Sequence, residues 1–431
     1  MGVNFMVEDD PNPKAIVGFF CRSPFHYYVS KNIYRHLPAA EFIIGERRYK
    51  NNALHIDSNE RLAAFLSQNG VHWRYYDSEA PQQMRKKFFE QYKVIVTPMN
   101  LSTAFNDISE LVKNKLKVRV LYGNAKDLYN FGLWNADFDL ILAYGPYSQK
   151  FLETYTRAVA VGNPKFDDWF SGSLDRNFIG SLRKKLNPAK KTVLYLPTHT
   201  IEEPLSSFHA AIKELENIEK DFNVLVKLHY LISFDEQESV EKLRASGHLI
   251  FDENDDILPL LKIADIVVSD NSGAIFDAIL ADKDIILFET DKKVFDHQVY
   301  PSPRAWAGQA STTYQESLEQ RVKEKDLAIG PLIQSFADMP RAVKELEQRT
   351  AEFRKNRLTV KNMVFGYQDT DCGKRAADAI TSLLNAPQPQ QYPFIYRVRQ
   401  RENLIRYAAK NLRKNLPFLE KIRMIYYEYF E

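Results

Sequence analysis

Cysteine is nearly absent: Cys21 and Cys372 are the only two in 431 residues, and neither belongs to a metal-ligand pair. Two thiols exclude a disulfide framework and suit a reducing cytoplasm. Glycine-rich phosphate loops are missing as well. Neither G-x-G-x-x-G nor G-x-x-x-x-G-K-[ST] occurs, which disfavours a dinucleotide dehydrogenase or a P-loop enzyme. No apolar run approaches the roughly 18 residues that span a bilayer, so any membrane contact is expected to be peripheral. The first 14 residues carry acidic residues and prolines instead of a basic start and an apolar core, unlike a secretory signal. A dominant charge is lacking too. With 58 Lys and Arg against 56 Asp and Glu, the formal net charge is +2, and no global field favours nucleic acid.

What is present describes a globular chain long enough for two or three domains, 45% apolar and 26% charged. Strands are expected at Ala15 to Cys21, Glu41 to Ile44, Val94 to Thr97, Val118 to Leu121 and Leu140 to Ala143. Helical periodicity separates them, near Tyr27 to His36, Asn59 to Gln68 and Ala104 to Lys113. The alternation restarts after Gly162-Asn-Pro-Lys165, with strands at Thr192 to Leu196, Asn223 to Lys227, His248 to Phe251, Ile266 to Ser269 and Ile285 to Phe288. The pattern predicts an α/β fold of two Rossmann-like domains facing a cleft. The expected division is residues 1–165, 166–385 and a helical tail, 386–431. One long charged helix is expected from about Pro340 to Val364.

The stretch Ile263 to Leu280 concentrates the chemistry. An apolar strand, Ile266-Val-Val268, ends in Ser269, Asp270, Asn271, Ser272 and Gly273, and a helical pattern begins there with Asp277 on it. Strand-to-helix turns at the carboxyl edge of a parallel sheet present free N–H groups to a phosphate. An ordinary capped turn is the simpler alternative. Other short polar segments follow strands of the second half: Leu196-Pro-Thr-His199, Lys227-Leu-His229 and Glu289-Thr-Asp291.

With Gly162-Asn-Pro-Lys-Phe-Asp167 these segments resemble the CDP-glycerol glycerophosphotransferases of teichoic-acid and capsule synthesis. The family's G-Y-P-R-N-D, L-Y-A-P-T, K-P-H-P, D-Y-S-S-x-x-F-D and D-G-x-x-x-x-R correspond to five segments here. These are Gly162 to Asp167, Leu194-Tyr-Leu-Pro-Thr198, Lys227-Leu-His-Tyr230, Asp270-Asn-Ser-Gly-Ala-Ile-Phe-Asp277 and Asp369-Thr-Asp-Cys-Gly-Lys-Arg375. The resemblance covers roughly residues 115 to 380. It departs where the family carries W-H-G, whose histidine is a candidate base, because Leu121-Tyr122-Gly123 stands there. Both prolines of K-P-H-P are gone, and D-Y-S-S reads Asp270-Asn-Ser-Gly273.

The resemblance implies a GT-B-like fold and a CDP-linked polyol donor whose phosphorus an acceptor hydroxyl attacks, releasing CMP. Such chemistry needs in-line positioning, a base and neutralisation of the diphosphate. Pro197, Thr198, Ser269, Asp270, Asn271, Ser272 and Gly273 would hold the donor, and Lys227 and His229 would supply charge or a proton. Asp277 and Arg375 read as positional. Asp277 either orients a basic residue or binds ribose hydroxyls, with a capping carboxylate as the alternative. His26, in the loop after the first strand, is the first candidate base and His199 the second. A helix-start histidine is the plain alternative for His26, and Tyr122 is a poor base near neutrality. No spacing argues for a transition metal; a loosely held Mg2+ is left open.

The tail interleaves basic residues with Tyr392, Phe394, Tyr396, Tyr407, Phe418, Tyr426, Tyr427, Tyr429 and Phe430. Such a mixture suits an anionic membrane surface at the inner face of the cell membrane. A helix packed back on the N-terminal domain is the competing reading. The expected partners are therefore the CDP-linked polyol, a lipid-linked or polymeric glycan acceptor and that membrane surface, without nucleic acid. Two other functions stay open: a glycosyltransferase using a nucleotide sugar, and a degenerate membrane-bound scaffold.

Overall fold

Continuous apolar runs such as Val17-Gly-Phe-Phe-Cys21, Val94-Ile-Val-Thr97 and Ile266-Val-Val-Ser269 form fully buried strands, as parallel sheets covered on both faces require. The computed structural model describes residues 9–45, 56–101, 108–124, 130–199, 206–289, 318–324, 326–386 and 392–415.

The first sheet comprises β1 (Val17–Cys21), β2 (Ala40–Gly45), β3 (Trp73–Tyr76), β4 (Val94–Thr97), β5 (Leu116–Val120), β6 (Leu140–Ala143) and β7 (Arg157–Ala160). Their order is β3-β2-β1-β4-β5-β6-β7, every pair parallel. The second comprises β8 (Thr192–Leu196), β9 (Asn223–Lys227), β10 (Leu249–Phe251), β11 (Ile266–Ser269), β12 (Asp284–Phe288) and β13 (Leu332–Ile333), in the order β10-β9-β8-β11-β12-β13. Both sheets step outward from their first strand in the Rossmann manner. Each therefore has a switch point, between β1 and β4 and between β8 and β11, where a crevice opens at the carboxyl edge.

Three strands escaped the sequence reading: β3, β7 and β13. All three lie at sheet edges, where one flank is unpaired and an apolar run is not demanded. The helix expected over Ala104 to Lys113 is not seen in its described part, where residues 109–113 form turns; 102–107 lie outside the described residues.

The single helix expected from Pro340 to Val364 is two, Met339–Gln348 and Thr350–Val364, broken at Arg349. The Thr350 hydroxyl donates to Leu346 O at 2.6 Å and Glu347 O at 3.0 Å, competing with the backbone for the carbonyls of the last turn.

The chain then crosses back. Helix Cys372–Asn385 lies within the 166–385 stretch, yet its Ala376, Ala377, Ile380 and Leu383 are buried with β1, β2 and β4 in the core of the first sheet. Gly373 permits this. A Cβ there would stand 2.4 Å from Asn32 O on helix Pro24–Tyr34.

The tail helix Phe394–Asn415 docks on the turn Leu133–Asp137. Arg399 Nε and Asn403 Nδ2 each donate to Asp137 Oδ1 at 2.8 Å, Gln400 Nε2 donates to Ala136 O at 3.0 Å, and the Tyr396 hydroxyl donates to Asp139. Phe394, Leu404 and Ile405 face outward, 72%, 61% and 70% exposed. This stretch thus adopts the packed-back arrangement while keeping an apolar outer stripe. Phe418, Tyr426, Tyr427, Tyr429 and Phe430 lie outside the described residues.

Candidate active site

The carboxyl ends of the two sheets face each other across one cleft. Pro197, Thr198 and His199 enter it after β8, Lys227 and His229 at the end of β9, and Ser272, Gly273 and Asp277 after β11. Phe25, Tyr28, Tyr122, Gly123 and Asn130 form the wall from the first domain. The cleft thus gathers eight of the residues singled out from sequence.

Three neighbours from the same motif do not line it. Ser269 Oγ donates to Leu196 O at 2.7 Å, tying β11 to β8. The fully buried Asp270 carboxylate accepts from Thr198 N at 2.8 Å, Ser207 N at 2.8 Å and Ser207 Oγ at 2.9 Å. Asn271 Oδ1 accepts from Lys323 Nζ. These contacts set the shape of the Pro197–Thr198 wall from behind. Burial pushes the Asp270 carboxyl above the usual carboxylate range, opposed by the Ser207 and Thr198 hydrogen bonds.

Asp277 faces Lys165, with Nζ to Oδ2 at 2.5 Å and side chains 4% and 15% exposed. Burial raises the Asp277 carboxyl, and Lys165 works against that shift. Lys165 lines the cleft and was not among the residues picked from sequence. The signal was available, since it occupies the basic position of the Gly162 to Asp167 segment.

That segment and Asp369 to Arg375 meet at the linker. Gly162 has φ +87°, and a Cβ on it would stand 2.3 Å from Cys372 Sγ. The Asp167 carboxylate accepts from Cys372 N at 3.0 Å and Gly373 N at 2.7 Å, capping the returning helix. Arg375 is held outside the cleft by Asp369 at 2.6 Å and Val161 O at 3.2 Å, over the Tyr367 ring at 3.9 Å. Its position is explained by the linker, not by the donor pocket.

His26 is 3% exposed and sits behind Phe25. Its Nδ1 accepts from Arg22 N at 3.0 Å, which places the proton of the neutral ring on Nε2. That tautomer presents a donor, not a lone pair, at Nε2. His229 is built likewise, its Nδ1 accepting from Leu231 N at 3.2 Å. His199 stands beside it, with ring centroids 5.2 Å apart. Desolvation holds the Lys227 ammonium below the ordinary lysine value, partly offset by Asp255, Asp252, Glu253 and Asp256. Among the described residues, no group of three or more His, Cys, Asp or Glu is disposed to hold a metal ion.

The domains are clasped beside the cleft. Lys31 Nζ lies 2.8 Å from Asp168 and 3.2 Å from Asp256, Arg35 lies 2.9 Å from Asp168, and the Tyr28 hydroxyl donates to Asn254 O at 2.7 Å. Phe25 from the first domain stacks on Tyr230 from the second, 5.9 Å between centroids and 9° between planes.

Two Rossmann-like sheets with a cleft between facing carboxyl edges define a GT-B-like protein, and solved structures share that fold. The wall teichoic acid polymerase TagF superposes with a TM-score of 0.55 at 17% identity, over 88% of this chain and 91% of that one. A TagF variant soaked with CDPG gives 0.54 at 17% identity, over 87% and 90%. MnaA of S. aureus, in a co-structure with UDP, gives 0.54 at 16% identity, over 88% and 100%. No curated protein sequence matches significantly. Residues 143–382 match CDP-glycerol:poly(glycerophosphate) glycerophosphotransferase, and the chain belongs to that family.

Proposed function

We propose that the chain transfers a polyol phosphate, glycerol or ribitol phosphate, from a CDP-activated donor to a hydroxyl of a polymeric or lipid-linked glycan. The acceptor oxygen attacks the polyol-bearing phosphorus. The phosphorus–oxygen bond to CMP breaks, and CMP leaves with the electron pair. Lys227, Ser272 and Gly273 take the diphosphate, and His229 donates from Nε2 to the charge that builds on it. His199, beside it in the cleft, accepts the acceptor proton. Asp277 keeps Lys165 at the pocket wall. The observation that carries this reading is the convergence of Thr198 and Ser272, at the switch point of the second sheet, with Lys227 and His229 beside them after β9, inside the segment matched by the family.

The outward stripe Phe394, Leu404 and Ile405, with exposed Arg397 and Arg401, supports peripheral attachment to an anionic membrane carrying a lipid-linked acceptor. Tyr122, in place of the family histidine, supports a second reading, a nucleotide-binding scaffold without turnover. A thermal-shift series with CDP, CMP and UDP tests the donor class. Stabilisation by cytidine nucleotides is expected, and stabilisation by uridine nucleotides alone would replace the donor with a nucleotide sugar.

A further inference from the structure

Two buried polar side chains at the carboxyl edge of the first sheet have no hydrogen-bond partner among the described residues. Asn124, just past β5, is 0% exposed, and both its amide nitrogen and its amide oxygen are unbonded. Ser23, just past β1, is 2% exposed with an unbonded hydroxyl. It occupies the N-cap of helix Pro24–Tyr34 yet makes no side-chain cap.

β1 and β5 flank β4, so two strand spacings, ~10 Å, separate their ends. Both residues adjoin the cleft wall: Gly123, which lines it, immediately precedes Asn124, and Phe25 of that wall is separated from Ser23 only by Pro24, the first residue of the helix. A Cβ placed on Gly123 would meet no described atom within 4 Å, so open space adjoins Gly123 on the cleft side. Native interiors rarely leave such groups unmet, and each one that persists calls for an explanation.

We propose that Ser23 and Asn124 form the acceptor subsite and recognise hydroxyl groups of a polyol or sugar. The amide offers donors on one atom and an acceptor on the other. An alcohol both donates and accepts, so it satisfies both atoms. An ionised phosphate oxygen only accepts, and would leave the amide oxygen beside a negative charge. Ser23 has the same double character. The inference rests on the transferase reading for its place in the reaction, but its ligand chemistry can be read without turnover.

The test uses the full-length wild type, Asn124→Leu and Ser23→Ala. Ligand-observed NMR with ribitol gives binding in the wild type, loss of it in both variants, and no competition from inorganic phosphate. With CDP-glycerol as donor, the acceptor KM rises about tenfold or more in Asn124→Leu, as loss of paired hydrogen bonds implies, while the donor KM holds. The unliganded melting temperature stays level or rises, because an apolar isostere removes an unmet amide. Ribitol binding that is absent from the wild type, retained in the variants or displaced by phosphate overturns the proposal. So does a fall in melting temperature with an unchanged acceptor KM, which marks the amide as structural. Absence of CMP release from wild type, with ribitol binding intact, removes the transferase reading and leaves the subsite standing.

Discussion

Lys165 Nζ lies 2.5 Å from Asp277 Oδ2, joining the linker that follows the first sheet to the helix that walls the donor side. Both side chains are largely out of water, so removing one leaves an uncompensated buried charge. Lys165→Met is expected to destabilise the fold by about 3–5 kcal/mol, and adding Asp277→Leu to recover most of that loss. Denaturant melts of the two singles and the double decide it. Independent, additive losses would show that the pair is not a unit.

Lys227 gives a pH signature. Its ammonium sits below the ordinary lysine value because of desolvation, so it loses charge at a lower pH than a surface lysine. Donor affinity therefore falls as pH rises through that lowered value, and Lys227→Arg, which stays charged, flattens the alkaline limb. Stability moves the other way. Between the lowered folded value and the ordinary one, about 10.4, the unfolded chain binds more protons, so the stability of wild type relative to Lys227→Met rises with pH. A donor KM with the same alkaline limb in wild type and Lys227→Arg would contradict the assignment.

The two histidines with occupied Nδ1 atoms should behave differently from each other. His229→Ala is expected to lower kcat by about 10²–10³, the loss typical of a missing transition-state donor, and His229→Gln to retain part of it. His26→Ala should lower kcat by less than the ~10²–10⁴ of a lost base, with a reduced melting temperature. Steady-state kinetics on the three variants separate these outcomes. An equal collapse in His26→Ala at unchanged stability would restore it as the base.

Interior strands such as Val94-Ile-Val-Thr97 and Ile266-Val-Val-Ser269 could be read directly, because burial on both faces demands continuous apolar residues. The edge strands Trp73–Tyr76 and Arg157–Ala160 could not, since one flank accepts Arg74 or Arg157. In the site, segment order located the donor wall, but it could not say which way each side chain turns. Ser269 turns inward to hold β8, Asp270 to hold Thr198 and Ser207 beyond that strand, and Arg375 turns to the linker. Asp167 shows the same limit. Its partners Cys372 and Gly373 lie two hundred residues on in sequence and become neighbours only after the chain crosses back.

The tail helix is anchored on two carboxylates, Asp139 through Tyr396 and Asp137 through two side chains. Asp137 accepts from both Arg399 and Asn403, so Asp137→Ala is expected to strip hydrogen-exchange protection from residues 394–403 while the two sheets keep theirs. Unchanged protection across that stretch would mean that other contacts hold the helix.

The outward stripe is tested by sedimentation with vesicles containing anionic lipid. Replacing Phe394, Leu404 and Ile405 by Ser should weaken binding, and raised salt should weaken it further in the wild type. Equal binding by both proteins would place membrane contact elsewhere or nowhere.

The most direct measurement is nucleotide release from CDP-glycerol and CDP-ribitol by the full-length protein, with glycan and polyol-phosphate acceptors supplied and products resolved by mass. CMP release with gain of one or more polyol-phosphate units on the acceptor is the predicted result. Intact CDP-polyols after prolonged incubation, from a protein that cytidine nucleotides stabilise, would contradict transfer and leave a binding scaffold.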